Sequence, residues 1–267
     1  MTHGTKLYLH LKKWLEKAAL DYDMIQGGDK VLVGVSGGSD SLVLLNLINT
    51  AMIFLPSFSV MAVNIDLGFD QTYGDYDTLK KYLETTGCDH VMEKTDIGPR
   101  VHSDWAKKNP CFLCSKMRRK RIIEIAEEHG CNKIAFAHHK DDIIETLLLN
   151  MFYGREISTM VPNQSIFKGK FHIIRPLAYI GERLIKKYAV EEGIPVIKNR
   201  CPTAVASKRT YVKSLLDELE KDNKDIRENI FKSMSHVKLD YLLTSGYKKS
   251  NVREYESVEP SRIVEKG

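Results

Sequence analysis

The sequence predicts an α/β protein, a doubly wound parallel sheet with an N-terminal helix and a C-terminal helical extension. Two observations carry this. Short apolar runs rich in β-branched residues alternate with stretches of helical periodicity between about Val31 and Ile197, and after about Ser207 only helical patterns continue. Alternation of that kind builds a parallel sheet with helices on both faces, and ligands then gather at the carboxyl ends of the strands.

Tyr8 to Tyr22 spaces Leu9, Leu11, Trp14, Leu15, Ala18 and Leu20 as an amphipathic helix does. Gly27-Gly28-Asp29 is a turn, and Val31 to Val35 is a continuous apolar run, the mark of a strand buried on both faces. Ser41 to Met52 returns to helical spacing. Val60 to Ile65 is read as a strand, Tyr73 to Thr86 as a helix, Lys133 to Ala137 as a strand and Asp142 to Phe152 as a helix. Phe171 to Arg175 is a further strand, Glu182 to Glu192 a helix and Val196-Ile197 a last short strand. Two amphipathic helices follow, Tyr211 to Lys221 and Asp225 to Leu243, and the polar segment from Ser245 onward is expected to be a mobile tail. The organisation is thus an N-terminal helix over 1–25, a strand–helix core over 26–206 and a C-terminal extension over 207–267.

At 267 residues, the chain suits one large domain with a real core. Hydrophobic residues make up 43% and charged residues 28%, with no apolar run near the roughly 18 residues a membrane span needs. The start of the chain lacks the apolar core of a secretory signal, so the expected address is the cytoplasm. The net charge of +5 is unevenly placed. Arg118, Arg119, Lys120 and Arg121 form a basic cluster that is either a solvated helix face or a contact for an anionic partner such as RNA.

Ser36-Gly37-Gly38-Ser39-Asp40-Ser41 stands where a strand hands over to a helix. Unpaired amides and the positive end of the helix dipole make such a junction an anion site. Gly37 and Gly38 let the backbone approach a phosphate without Cβ clashes, and the three serines add hydroxyl donors. The spacing fits neither the Walker A loop nor G-x-G-x-x-G. The plainer alternative is a serine-capped turn.

A second junction, His138-His139-Lys140-Asp141-Asp142, also follows a strand and opens a helix. Its carboxylates either cap the helix or supply metal-binding and acid/base groups near a bound triphosphate. Asp141 and Asp142 are candidates for holding Mg²⁺ or positioning the nucleophile. Five cysteines with no export signal should be reduced thiols. Cys111-x-x-Cys114 precedes a basic helix, and Cys201 lies far downstream. Three thiolates suit zinc with a histidine, a redox pair with a bystander, or an iron–sulfur cluster with one position unfilled. Cys88 and Cys131 read as ordinary buried thiols.

The S-G-G-x-D-S loop after the first strand resembles the PP-loop, or N-type ATP pyrophosphatase, superfamily, of adenine nucleotide α-hydrolase-like fold. The resemblance implies that Ser36 to Ser41 bind the phosphates of ATP, with Asp40 on Mg²⁺. It also implies that the backbone at Asn64-Ile65-Asp66 reads the adenine edge, although Asp66 can equally start a turn before Gly68. Members cleave ATP between the α and β phosphates and adenylate their substrate.

Within the superfamily the likeness narrows to the tRNA 2-thiocytidine synthetase family. It is carried by C-x-x-C with Ser115 and Arg118-Arg119, by His138 through Gly154, by I-R-P-L-A-Y ending at Tyr179, and by Cys201. It implies that Cys111, Cys114 and Cys201 hold a 4Fe–4S cluster with one open iron, and that a pyrimidine oxygen of tRNA is adenylated and replaced by sulfur. The donor would be a cysteine desulfurase or free sulfide, and a homodimer fits the family. Asp40, Asp141, Asp142 and Arg118 are then the candidate catalytic residues. His138 and Arg175 join the ATP site, and Arg118 to Arg121 face RNA. Ser39 departs from the family, which usually carries lysine there. The competing readings are a related enzyme for another tRNA base or for sulfur removal, and a non-catalytic nucleotide- or RNA-binding cluster or zinc module.

Overall fold

A computed structural model describes residues 4–51, 58–69, 73–103, 110–197, 201 and 208–243. The expected tail from Ser245 lies outside them. Six strands form one sheet in the order β3-β2-β1-β4-β6-β5. They are β1 (Lys30–Gly34), β2 (Ser59–Asp66), β3 (Asp89–Lys94), β4 (Lys133–Ala135), β5 (Asn163–Ile166) and β6 (Phe171–Ile174). The first four and β6 run parallel, with β1 paired to both β2 and β4. β5 runs antiparallel to β6 along the edge. The connection reverses direction between β1 and β4, and the crevice of a doubly wound sheet opens at such a point.

Nine helices appear among the described residues: α1 (Lys6–Asp21), α2 (Ser39–Ala51), α3 (Tyr73–Thr86), α4 (Ile97–Val101), α5 (Pro110–Glu128), α6 (Lys140–Leu149), α7 (Glu182–Glu191), α8 (Lys208–Asp222) and α9 (Ile226–Ser233). The pleat of β1 sorts its side chains between two cores. Val31 and Val33 join Leu11 and Leu15 of α1, Leu44 and Leu47 of α2 and Ile185 of α7 on one face. Leu32 joins Ile122 and Ile125 of α5 and Val63 and Ile134 of the sheet on the other. The N-terminal helix is therefore part of the main core. The C-terminal extension is held differently, by a small apolar cluster in which Val212, Leu216, Ile230 and Phe231 pack on Ile144 and Leu148 of α6.

Three expectations need correction. Val196-Ile197 is no strand; the amide of Ile197 donates instead to Gly37 O at 2.9 Å, so this segment lies across the glycine loop. Cys111 and Cys114 do not precede the basic helix but occupy its start, after Pro110, a residue whose missing N–H costs nothing at a first helical position. The helix expected over Asp225 to Leu243 stops at Ser233 and resumes only as a short 3₁₀ turn at Leu239–Tyr241. The strands that sequence reading passed over, β3 and β5, are outer ones with polar residues at several positions, and so lack the apolar run that marks a central strand.

Candidate active site

The glycine loop closes itself with its own hydroxyls. Val35 N extends the ladder to Val63 O (2.8 Å), and the chain then turns at Gly37, where φ is +85°. A side chain there would also press on Ile197, whose Cβ would stand 3.2 Å from the new Cβ. Buried Ser41 donates to Gly38 O (2.9 Å) and accepts from Ser36 N (3.0 Å). Ser41 therefore shapes the loop, and its hydroxyl is not the free donor that was expected. The first intrahelical bond of α2 runs from Leu42 N to Gly38 O (3.2 Å), which leaves the amides of Ser39 to Ser41 ahead of it as first-turn donors. Ser39 donates to Asp40 Oδ1 (3.0 Å).

Beside the loop, the side chain of buried Asn64 donates to Val35 O (2.8 Å), tying the ends of β1 and β2 together. Ile65 is buried. Asp66 accepts from Gly68 N (2.9 Å), so its carboxylate starts the turn that was the plainer reading of that residue.

The second junction lies across the crevice from the first. His139 caps α6, accepting from Asp142 N at Nδ1 (3.3 Å) while Asp142 Oδ2 accepts from His139 N (3.0 Å). This is a reciprocal cap of the Ser/Glu type, made here by His and Asp. His139 Nε2 stands 3.9 Å from Asp40 Oδ2, the point where the two junctions meet.

Both aspartates are engaged by groups that sequence reading had not singled out. Asp141 Oδ2 accepts from Glu182 N at the start of α7 (2.8 Å), and its Oδ1 accepts from Arg227 of α9 (2.9 Å). Asp142 Oδ1 accepts from Arg209 of α8 (3.1 Å), which also reaches Thr146 Oγ1 (3.3 Å) and lies 3.6 Å from buried Glu145. Burial pushes the Glu145 carboxyl above its ordinary value, and Arg209 restrains the rise. A concentration of carboxylates on one helix needs cations from elsewhere, and that requirement is the one sequence signal pointing toward Arg209 and Arg227.

A cationic recess adjoins this junction. Arg175 is buried at the end of β6, with Nη1 on Val161 O and with Nε sealed and unpartnered. His138 packs edge-on against Phe136, and its Nδ1 is likewise sealed without a partner. Burial and the charge of Arg119 lower the Arg175 pKa to about 10. Burial, then Arg175, bring His138 down to about 4, so its ring is neutral at ordinary pH. Unpartnered donors in such a recess suit an anionic ligand.

On α5 the basic cluster divides. Arg121 pairs with Glu93 (2.8 Å), Glu124 (3.2 Å) and Glu128 (2.8 Å). Its charge is engaged by carboxylates of the protein itself. Lys120 makes only a loose pair with Glu124 at 3.7 Å. The charges of Arg118 and Arg119 reach the site: Arg119 acts on His138 and Arg175, while Arg118 acts on Cys114. Burial pushes the Cys114 thiol up, Arg118 pulls it back, and Cys201 and Cys111 add to the rise. The three cysteines thus share one neighbourhood, although among the described residues no three His, Cys, Asp or Glu side chains stand at metal-ligating distance. Cys88 and Cys131 are raised chiefly by burial, as structural thiols are. No helix among the described residues is long and apolar enough to cross a membrane.

The model of the PP-loop domain family matches residues 6–219. A tRNA-cytidine(32) 2-sulfurtransferase of Polynucleobacter asymbioticus is 37% identical over 243 residues, covering 89% of this chain and 79% of the relative. The enzyme of that name from Geobacter sulfurreducens is 34% identical over 243 residues, covering 88% and 93%. Among solved structures, the U34-tRNA thiolase NcsA from Methanococcus maripaludis, with its [4Fe-4S] cluster, superposes with a TM-score of 0.72 at 24% identity over 88% of this chain and 80% of that one. The NH3-dependent NAD synthetase from Campylobacter jejuni reaches 0.50 at 12% identity over 87% and 93%. The two structures speak for the fold; the family match and the curated relatives speak for descent, and by both the chain belongs to the PP-loop family, in its tRNA-cytidine(32) 2-sulfurtransferase group.

Proposed function

We propose that the protein is an ATP-dependent tRNA sulfurtransferase that replaces the 2-oxygen of a cytidine by sulfur. The observation that carries the reading is the meeting of three things at one sheet rim: the glycine loop, the cationic recess and the cysteine trio. A nucleotide-binding module alone would have no use for the third. The group to which the chain belongs acts on cytidine and not on another base, so the related enzymes and the non-catalytic module are set aside.

First-turn amides of α2 and the backbone at Gly37 and Gly38 would hold the phosphates of ATP, with Asp40 carrying Mg²⁺ against them. Backbone at Asn64 to Asp66 would read the adenine. The cytosine 2-oxygen attacks the α-phosphorus, the bond to the β-phosphate breaks, and pyrophosphate leaves. Arg175 and Arg119 stabilise the charge that gathers on the phosphoryl oxygens. Hydrosulfide, supplied free or released when an external thiol reduces the persulfide of a cysteine desulfurase, then adds at the activated carbon, and AMP departs with the former base oxygen. Neutral His138 offers Nδ1 to a hydrogen bond without adding positive charge to the recess. Asp141 and Asp142, held by Arg227 and Arg209, serve mainly to fix the junction, and Asp142 orients His139 toward Asp40.

Cys111, Cys114 and Cys201 are the residues to hold a 4Fe–4S cluster, which when bound offers an open iron to carry the incoming sulfur. Their chemistry fits: three thiols supply the soft sulfur donors that such a cluster takes.

The test is nucleoside mass spectrometry of tRNA from cells lacking the gene and from the same cells expressing Cys201→Ala. Loss of 2-thiocytidine in both is expected. Iron and sulfide retained by anaerobically purified wild type should drop in the variant. An unchanged thionucleoside profile in the deletion overturns the proposal.

A further inference from the structure

We infer that the exposed tip formed by Phe152 and Tyr153, with Lys208 beside it, is a stacking platform for the unpaired nucleotides that flank the target base of the RNA substrate. The inference rests on the proposed action on tRNA and adds to it where the strand is gripped. Asn150–Gly154 continues α6 as a single wider π turn, a feature frequent at functional sites. Phe152 and Tyr153 are 49% and 48% exposed there, and the neighbouring Met151 is 45% exposed. Their rings meet edge to face at 6.4 Å, so each keeps at least one flat face that the other does not touch. Large aromatic side chains left half in water at the end of a buried helix serve nothing in the core described above.

The tip is rigid. Glu156 N donates to Asn150 O (3.2 Å), the Asn150 amide donates to Ser158 O (2.9 Å), and Thr159 Oγ1 donates to Ile143 O (2.6 Å). The loop so fastened ends at Val161, whose carbonyl accepts from Arg175, so it forms a wall from the tip to the cationic recess.

Charge selects the occupant. Lys208 Nζ lies 4.1 Å from the centre of the Tyr153 ring, and the next residue, Arg209, contacts Asp142 at the junction. Arg155, exposed and held left-handed at φ +57°, is paired with no carboxylate among the described residues. Glu156, the acidic neighbour, accepts from Ser158 Oγ (3.2 Å). Aromatic faces interleaved with cations match a single strand, whose every base has a π-face and every linkage a phosphate. A base drawn out of its stack toward Asp40 and Arg175 leaves its neighbours unstacked, and the platform offers them a replacement.

The experiment measures fluorescence anisotropy of labelled unmodified tRNA with the full chain. In F152L/Y153L bulk is kept and the π-faces are removed; in F152W/Y153W the faces are kept. We expect Kd for tRNA to rise about 10- to 100-fold in the leucine pair and to stay near wild type in the tryptophan pair. ATP affinity, unfolding midpoint and molecular mass in solution should not change in either. Leucine variants that bind tRNA as wild type does overturn the platform while leaving tRNA action intact. A change in oligomeric mass in place of RNA affinity makes the tip a contact between copies and also overturns it. Wild-type protein that fails to bind tRNA defeats the functional reading itself.

Discussion

After β1 the chain turns into α2 through glycine and serine; after β4 it turns into α6 through histidine and aspartate. Both junctions sit at carboxyl strand ends beside the sheet's reversal point, and both open a helix whose dipole favours an anion. Yet they are put to opposite uses. The first satisfies itself with short internal bonds from Ser41 and Ser36 and leaves its first-turn amides ahead of the helix ladder. The second commits its carboxylates to a cap, to the start of α7 and to arginines from α8 and α9. The lesson is that a cluster of acidic residues at a strand end can be the anchor for a distant part of the chain.

The comparison breaks most sharply at Asp40. Asp40→Asn should lower pyrophosphate release by about 100-fold or more, as loss of a group that stabilises developing charge does. Its unfolding midpoint should stay unchanged, because the carboxylate is partly exposed and its partner is the neighbouring Ser39 hydroxyl. Equal loss of stability would make the first junction an anchor too.

Asp141→Ala should do the reverse, with its main effect on stability. Stranding a lone buried charge costs about 3–5 kcal/mol; here about 2–3 kcal/mol is expected, since Arg227 keeps Glu220 (3.3 Å) and Asp217 (2.6 Å). Urea denaturation gives the loss, and limited proteolysis should show α8 and α9 released first.

The smallest effect concerns pH. His138 has a folded value of about 4 against an ordinary 6.5, so between these values the unfolded chain binds more protons than the folded one. The stability tied to neutral His138 is full above pH 6.5 and is lost as pH falls toward 4. Wild type should lose about 2 kcal/mol more than His138→Gln across that window, measured by urea titration at each pH. Identical slopes would mean that the recess is open to water.

The difference between the junctions also explains what was legible in sequence. The glycine loop is local: strand, turn and helix lie within a dozen residues, and the hydroxyl bonds of Ser36, Ser39 and Ser41 that shape it join near neighbours. Central strands β1, β2, β4 and β6 announced themselves as β-branched runs for the same reason. Outer strands β3 and β5 carry His90, Glu93, Asn163 and Gln164, and gave no such run. Val196-Ile197 was apolar because Ile197 covers Gly37, a tertiary reason that mimics a strand. Arg209 and Arg227 were unreadable because their partners stand far away in the chain, as does Glu93, the partner of Arg121.

The bond from Ile197 N to Gly37 O has one more consequence. Cys201 follows four residues later, and a chain cannot extend more than about 3.5 Å per residue, so its Cα is leashed within about 14 Å of the Cα of Ile197, the residue that lies across Gly37. Whatever path the intervening backbone takes, Cys201 and the glycine loop stay neighbours. An activated base would therefore wait within a short, fixed reach of its sulfur, with no need for a swinging domain to carry one to the other.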